Sequence, residues 1–214
     1  MNTGIYQLRL GSKQQKTAFH YRGLIGGLFL GPAFLAALVS KPVIAEGTWL
    51  DLSVDFVAWL AFVAALVFRI WPTLYIGGRK RREVVAQGPY SICRNPLYLG
   101  SFLLALSAGL FLKSLLFAAF LGLVVLAYIY KTIPAEEAEL RRVLGEPYLN
   151  YCKRVPRFWP NFSLFATPDT IEVRIHGLRP EAKRAIIWIW LPFAGEMIAH
   201  LRIEQWWPQF FHLL

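Results

Sequence analysis

Two polar clusters in this sequence carry the residue types that bind and position a charged small molecule. The first lies at residues 88–100, where arginine, tyrosine and turn-forming residues come directly before an apolar run. The second, at residues 136–160, brings two adjacent glutamates and two tyrosines after the next apolar run. Arginine donates hydrogen bonds in a planar fork to anions, whereas a carboxylate accepts hydrogen bonds or a proton. If the chain returns both clusters to one membrane surface, they can close a single site.

The first cluster is expected to contain the start of a helix, because Pro96 suits a first helical turn. Backbone amides exposed at such an N-terminus and the positive end of the helix dipole favour an anionic group such as a carboxylate, and Arg94 adds charge. The alternative interpretation is an interfacial turn in which Arg94 binds a phospholipid. The sequence alone leaves both interpretations open.

The second cluster follows the pattern of a short amphipathic helix that begins near Ala135, lies against the membrane face and ends around Gly145. A second turn then carries Tyr148 and Tyr151. Adjacent glutamates on a solvated helix are more often surface charge than catalytic groups. Their distance from the first cluster therefore decides whether they do chemistry.

Composition indicates that the elements that position these clusters lie in lipid. Hydrophobic residues make up 56% of the chain and the mean hydropathy is +0.43. A helix needs about 20 apolar residues to span a bilayer. Five uncharged apolar runs approach that length: residues 23–39, 54–70, 97–112, 114–130 and 185–201. The sequence therefore predicts an all-α, polytopic membrane protein of about five transmembrane helices, with residues 1–214 as a single domain.

Two of these runs need further interpretation. The third and fourth are separated only by Lys113, and one helix over both would extend about 51 Å, well beyond a hydrocarbon core of about 30 Å. The chain must therefore turn back near residues 112–114. The fifth run contains Pro192, Glu196 and His200, so that it either spans the bilayer or lies at its surface. Glu196 and His200, four residues apart, could pair within the bundle.

The distribution of basic residues predicts the orientation. With the N-terminus inside, every Lys and Arg except Lys41, Lys113 and Arg202 falls on one side, which the positive-inside rule makes cytoplasmic. The N-terminus and both clusters are then cytoplasmic, and residues 161–214 form a C-terminal linker and the uncertain fifth helix. The net charge of +10 is attributed to anionic lipid headgroups rather than nucleic acid, because the basic residues flank apolar runs. The scattered histidines predict no metal site.

Cys93 and Cys152 both fall on the predicted reducing side, so no disulfide is expected between them. Cys93 lies beside Arg94, which could lower the pKa of its thiol. An inert, packed thiol is the more common case.

Together the two clusters resemble the motifs of the isoprenylcysteine carboxyl methyltransferase and phospholipid methyltransferase superfamily of integral membrane enzymes. The resemblance covers residues 84–160, the predicted motif core. The first motif of the superfamily, Gly-x-Tyr-x-x-x-Arg-His-Pro-x-Tyr-x-Gly, is matched by Gly88, Tyr90, Arg94, Pro96, Tyr98 and Gly100, with Asn95 where histidine is common. The second, Glu-Glu-x-x-Leu with Gly-x-x-Tyr-x-x-Tyr and Val-Pro-Arg, is matched by Glu136, Glu137, Leu140, Gly145, Tyr148, Tyr151, Val155, Pro156 and Arg157.

The resemblance implies S-adenosylmethionine bound on the cytoplasmic side between the motifs, and a lipid or lipid-modified acceptor that enters laterally from the bilayer. By physical role, Arg94 and the amides near Asn95 are assigned to the donor's carboxylate, and Glu136 or Glu137 to its amino group or ribose hydroxyls. These four residues are the predicted catalytic groups. The predicted cofactor-binding residues are Gly88, Tyr90, Arg94, Asn95, Pro96, Tyr98, Gly100, Glu136, Glu137, Leu140, Tyr148 and Tyr151.

Asn95 is the notable departure from the superfamily pattern. Asparagine cannot change protonation near neutral pH, so position 95 is predicted to hold groups in place rather than to shuttle a proton. A carboxylate acceptor is already ionised at neutral pH and needs no base. An amine acceptor must lose a proton, for which Glu136 or Glu137 is the candidate base.

Two other functions remain open. Sterol reductases have a related C-terminal pattern and would use a nicotinamide dinucleotide. They usually have more membrane spans, and their second motif resembles Asp/Glu-Glu-x-x-Cys, whereas this chain has Leu140 at the last position of that motif. A non-enzymatic scaffold or carrier should place polar groups at mid-membrane depth, which only the fifth run offers. A soluble Rossmann-type methyltransferase is excluded, because neither its glycine-rich loop nor alternating strands and helices are present.

Overall fold

The computed structural model describes residues 31–77, 79, 82–173 and 175–208, and every regular element in these ranges is helical. Residues 31–38 form α1. The helices that follow are α2 (Trp49–Ile76), α3 (Pro89–Ile92), α4 (Pro96–Leu112), α5 (Leu115–Ala127), α6 (Ile133–Leu144), α7 (Glu146–Arg154), α8 (Ile175–Trp188) and α9 (Trp190–Leu201). A π-helical turn (Tyr128–Thr132) joins α5 to α6, and a 3₁₀ turn (Phe162–Leu164) follows α7. The predicted all-α class is confirmed for the described residues.

The antiparallel pair of α2 and α4 forms the centre of the bundle. Gly100 permits their close approach, since a Cβ at this position would lie 2.9 Å from the backbone carbonyl carbon of Phe68. At one end of the pair, Lys113 forms ion pairs with Asp51 and Asp55 of α2. This end is called the hairpin end below, and the end where α2 stops and α4 begins is called the motif end.

The helices α4 and α5 form the predicted hairpin, and a single residue makes the reversal. Lys113 adopts a left-handed φ of 45°, and Ser114 then caps α5 by accepting a hydrogen bond from the Phe117 amide. The buried guanidinium of Arg202 donates to the carbonyl oxygens of Leu112 and Ser40 beside the turn. The turn expected near residues 112–114 is confirmed.

The fourth apolar run does not end at residue 130, where the sequence pattern placed its end. The helix α5 continues through the π turn into α6, so that Leu115–Leu144 is one helix and carries both motif glutamates near its end. The short helix expected from near Ala135 is therefore the end of a longer helix rather than a separate one, and it ends at Gly145 as expected. Pro134 is tolerated within the helix because it sits in the first turn of α6, directly after the π turn.

The fifth apolar run is divided rather than continuous over residues 185–201. The helix α8 begins at Ile175, inside the stretch expected to be a linker, and a turn at Ile189 separates it from α9. The two helices follow α2 and α4 along the bundle. Gly177 lies against Gly77 at the motif end, and Gly195 packs against Phe111 towards the hairpin end. This part of the C-terminal region thus belongs to the bundle, because small residues let its helices approach closely.

Among the described residues, two helices are long and apolar enough to cross a membrane: Trp49–Ile76 and Leu115–Leu144. Both expose large apolar side chains, including Phe56 and Leu123, over an area that a water-soluble surface seldom shows. These findings indicate membrane association, but the five predicted spans are not all confirmed. Residues 23–30 of the first run lie outside the described ranges.

The histidine of the fifth run makes a contact that its sequence did not predict. His200 Nδ1 lies 3.2 Å from Glu46 Oε2. His200 thus contacts the segment before α2, whereas the sequence suggested Glu196 as one possible partner. The partner is remote in sequence, so helical spacing could not reveal it.

Candidate functional site

The structure brings the two polar clusters together at the motif end of the bundle. The amide of Arg94 donates to the Pro156 carbonyl at 2.8 Å, and the amide of Asn161 donates to the Ile92 carbonyl at 2.9 Å. The Tyr151 hydroxyl donates across the same junction to the Tyr90 carbonyl at 2.7 Å. The clusters therefore form one structural unit, although they lie on opposite sides of the hairpin in sequence.

A cavity of about 650 Å³, including the space at its mouth, lies between the clusters. The predicted site residues that line it are Tyr90, Arg94, Asn95, Pro96, Tyr98, Glu136, Leu140, Tyr148 and Tyr151. Lining residues that sequence reasoning missed are Ile76, Glu83, Val84, Val85, Leu97 and Leu144. Val84 and Val85 could have been found, because they are two adjacent apolar residues within the polar connector just before the first motif.

Gly88 and Gly100 lie outside this lining and serve packing instead. Gly88 has a φ of 57°, and a side chain there would collide with the ring of Tyr75. Gly100 sets the distance between α2 and α4. Both glycines therefore position the walls of the cavity from outside it.

Glu137 also lies outside the lining, at the centre of a buried polar network. Its side chain is only 2% exposed and accepts hydrogen bonds from Arg157 Nη2 at 2.5 Å and Asn95 Nδ2 at 3.0 Å. Arg94 Nη1 lies 3.7 Å from the same carboxylate. One anion thus links the first motif to Arg157 of the second. Glu137 therefore lies in the network between the motifs, and Glu136 is the glutamate that lines the cavity.

The N-terminus of α4 contributes the anion-binding wall. Asn95 occupies the capping position, but its side chain does not cap the helix, because its amide donates to Glu137 and to the Arg157 carbonyl. Nearby, Tyr90 Oη and Arg94 Nε are buried without a hydrogen-bond partner among the described residues. Buried donors without partners are rare in native proteins. An uncapped helix N-terminus and two such donors together suit a polar, anionic ligand.

Glu136 supplies a negative charge to the same cavity. Tyr98 Oη donates to Glu136 Oε2 at 2.7 Å and so fixes the carboxylate at the wall. The rings of Tyr148 and Tyr151, 5.8 Å apart between centroids, form another part of the lining. Aromatic faces attract cations. The cavity can therefore bind a ligand that carries both an anionic and a cationic group.

Comparison with known proteins connects this arrangement to a family. The profile of the phospholipid methyltransferase family matches residues 50–147. Protein-S-isoprenylcysteine O-methyltransferase B of Arabidopsis thaliana is 30% identical over 77 residues, which are 36% of this chain and 39% of that relative. The chain belongs to the isoprenylcysteine carboxyl methyltransferase and phospholipid methyltransferase superfamily. The resemblance carried by the two motifs is confirmed.

Two relatives of this methyltransferase-superfamily member are named for metal resistance. The nickel-cobalt-cadmium resistance protein NccN of Alcaligenes xylosoxydans xylosoxydans is 31% identical over 176 residues, 82% of each chain. The cobalt-zinc-cadmium resistance protein CzcN of Cupriavidus metallidurans is 35% identical over 130 residues, 61% of this chain and 60% of its own. No solved structure gives a significant match. In the part of the chain that the structure describes, no three His, Cys, Asp or Glu residues are grouped to hold a metal ion.

Three tyrosines of the cavity in this superfamily member, Tyr90, Tyr148 and Tyr151, remain protonated at neutral pH. Burial is the main cause that raises the pKa of Tyr90, Tyr148 and Tyr151 well above the ordinary value for tyrosine. The negative charge of Glu136 raises the pKa of Tyr90 further. These side chains therefore serve as hydrogen-bond donors and ring surfaces, and they are excluded as general bases.

Cys93 is expected to resist alkylation in the folded protein. Its side chain is fully buried, and burial raises the pKa of the thiol to about 11 despite the opposing charge of Arg94. The structure thus favours a packed thiol over an activated one. Because the thiolate is the reactive form, Cys93 stays inert from neutral pH to about pH 9, and reactivity appears only as the pH approaches the raised pKa.

Brief treatment with iodoacetamide, followed by peptide mass spectrometry, checks this expectation. Cys152 is partly exposed and should be modified, whereas Cys93 should not. Denatured protein, in which both thiols react, is the control. Rapid labelling of Cys93 in the native protein would contradict the assignment.

Proposed function

We propose that this protein transfers a methyl group from S-adenosylmethionine to a lipid-like acceptor at the membrane face where its two motifs meet. One observation carries the proposal: a single tyrosine-walled cavity combines an uncapped helix N-terminus and Arg94 with the carboxylate of Glu136. S-adenosylmethionine presents a carboxylate, an amino group and a sulfonium cation. Its charges therefore match those of the cavity.

The residues present fit this donor. The N-terminus of α4 and Arg94 would bind the donor's carboxylate, to which the unpartnered Tyr90 hydroxyl could also donate. Glu136 would bind the amino group or the ribose hydroxyls. Tyr148 and Tyr151 offer ring surfaces for the sulfonium and adenine groups.

When bound, the donor supplies an electrophilic methyl group on its sulfonium sulfur. The protein's contribution is alignment and exclusion of water, because an attacking anion and a sulfonium lose charge together as the transition state forms. A carboxylate acceptor needs no base. An amine acceptor would pass its proton to Glu136, the glutamate that lines the cavity. Asn95 takes no proton and holds Glu137 in place.

An apolar groove that extends from the hairpin end to Phe102, near the donor cavity, supports a lipid-like acceptor. Its volume, including the open space at its mouth, is about 920 Å³, and α4 and α5 provide most of its lining. Phe102 lines the groove and packs against Tyr98 of the donor cavity, with 6.4 Å between ring centroids. An acceptor whose tail lies in this groove would reach the donor past these two rings. We propose an isoprenylcysteine-type carboxylate or a phospholipid amine as the acceptor, and the cytoplasmic side of the membrane as the side of the reaction.

The metal-resistance names of two relatives are compatible with methyl transfer at a membrane. Converting a carboxylate to a methyl ester removes a negative charge from the membrane surface. A less negative surface attracts fewer cations. Methylation of membrane carboxylates would therefore lower the concentration of metal cations at the membrane surface, and this links methyl transfer to metal tolerance.

Calorimetry on the detergent-purified protein tests the proposal. S-adenosylmethionine is expected to bind saturably, and the Arg94→Gln variant to bind it about 100-fold more weakly, since loss of one partner of a buried charged pair costs about 2–5 kcal/mol. The matched control is Arg142→Gln, which removes a surface charge paired with Glu139 and should leave the affinity unchanged. Preference for NADPH would support the reductase alternative. Binding of neither compound would favour a non-enzymatic scaffold or carrier.

A further inference from the structure

A charged pair joins the C-terminal helix α8 to the central helix α2. Arg69 Nη2 donates to Glu181 Oε1 at 2.7 Å and to Glu181 Oε2 at 2.6 Å. The two side chains are only 15% and 12% exposed. The Arg69 guanidinium also lies 5.2 Å from the ring centroid of Trp188, at the end of α8. The contact therefore fixes α8 against α2 through one side chain.

Stability alone does not account for this pair. Arg69 lies seven residues before the end of α2 at Ile76, about 10 Å into a helix long and apolar enough to cross a membrane. Burying two charges away from water often costs as much free energy as their pairing returns, and ionisable residues within spanning helices usually serve function. The other contacts of Arg69 indicate what that function is.

The other terminal nitrogen of the Arg69 guanidinium, Nη1, contacts the first turns of α4. Its Nη1 donates to Ser101 Oγ at 3.0 Å and to the Leu97 carbonyl at 3.4 Å. Leu97 lines the donor cavity, together with Asn95, Pro96 and Tyr98 at the same helix start. Arg69 thus connects α8 to the segment that forms the anion-binding wall.

We propose that Arg69 and Glu181 are positioning residues for the donor site and that α8 is thereby a functional part of it. Glu181 holds the guanidinium, and the guanidinium holds the start of α4 at the position where its N-terminus and Arg94 meet the donor's carboxylate. The family profile ends at residue 147, so this contribution comes from beyond the matched region. The inference rests on the proposed binding of S-adenosylmethionine.

The test compares S-adenosylmethionine affinity with the thermal unfolding midpoint in the full-length protein. Ser101→Ala removes the side-chain acceptor on α4 but retains the Leu97 carbonyl and the pair of Arg69 and Glu181. It is expected to weaken binding about fivefold, which is more than any small shift of the midpoint explains, whereas Ser101→Thr keeps the hydroxyl and should bind like the wild type. Glu181→Gln is expected to weaken binding about tenfold or more. Lys183→Gln, an exposed change on the same helix, is the control and should bind normally.

The outcomes separate this inference from the proposed function. If the wild type binds S-adenosylmethionine and both Ser101→Ala and Glu181→Gln bind it equally well, the positioning role is wrong and the donor site stands. If Ser101→Ala loses affinity only in step with its unfolding midpoint, the contact is merely structural, and the inference is again overturned. If the wild type does not bind the donor, the proposed function itself fails.

Discussion

Replacing Glu137 by glutamine is expected to abolish donor binding and to lower the free energy of unfolding by about 3–5 kcal/mol. The carboxylate is buried and faces three arginines within 4 Å: Arg94, Arg141 and Arg157. Glutamine keeps the size of the side chain but removes the charge. The arginines then lack their shared counter-charge, and the polar network that links the two motifs loses its carboxylate partner at position 137.

Denaturant unfolding in detergent and calorimetry with S-adenosylmethionine measure the two effects of Glu137→Gln. The matched control is Glu139→Gln, two residues along the same helix, whose carboxylate forms a more exposed pair with Arg142. The control should retain donor binding, and its loss of stability should be no more than about 1 kcal/mol. A Glu137→Gln protein that binds the donor with wild-type affinity would show that this network does not shape the site.

The second large effect is expected from Asn95→Asp. The Asn95 amide donates to Glu137 Oε1 at 3.0 Å, and an aspartate would instead place a second carboxylate at that distance in a buried site. Two close carboxylates repel each other, and the hydrogen bond to the Arg157 carbonyl is lost as well. We expect donor affinity to fall at least 100-fold, because the negative charge would also oppose the donor's carboxylate at the start of α4.

Asn95→His is the informative control, since histidine retains an N–H that can donate to Glu137 and is common at this position in the superfamily. It should bind S-adenosylmethionine within about tenfold of the wild type at pH 8, where an ordinary imidazole is neutral. Calorimetry on both variants measures the difference. Equal affinities for the Asp and His variants would refute the positioning role of residue 95.

Several features could be predicted because short-range rules determine them. Proline suits a first helical turn, and α4 begins at Pro96. Two apolar runs too long for one membrane span had to reverse, and the turn falls at Lys113. The two motifs were recognisable by residue type and spacing. Most of the predicted site residues consequently line one cavity.

Other features depend on partners that are remote in sequence. The contact of Glu181 with Arg69 could not be read from local composition, because the two residues lie 112 positions apart in the sequence. The break between α8 and α9 was not predicted either. The π turn that joins α5 to α6 likewise left no clear mark, so the helix was expected to end early.

Residue types and spacing were enough to predict that two adjacent glutamates, an arginine and a set of tyrosines would lie in one site at the end of apolar helices. The different surroundings of the two glutamates depend on the packing of the helices. Adjacent residues on an α-helix point about 100° apart, so Glu136 and Glu137 cannot face the same surroundings. Glu136 reaches the cavity beside Tyr98, whereas Glu137 turns into the network of Asn95 and Arg157. That division follows from which chain segments pack on each side of α6, and it cannot be deduced from residue types alone.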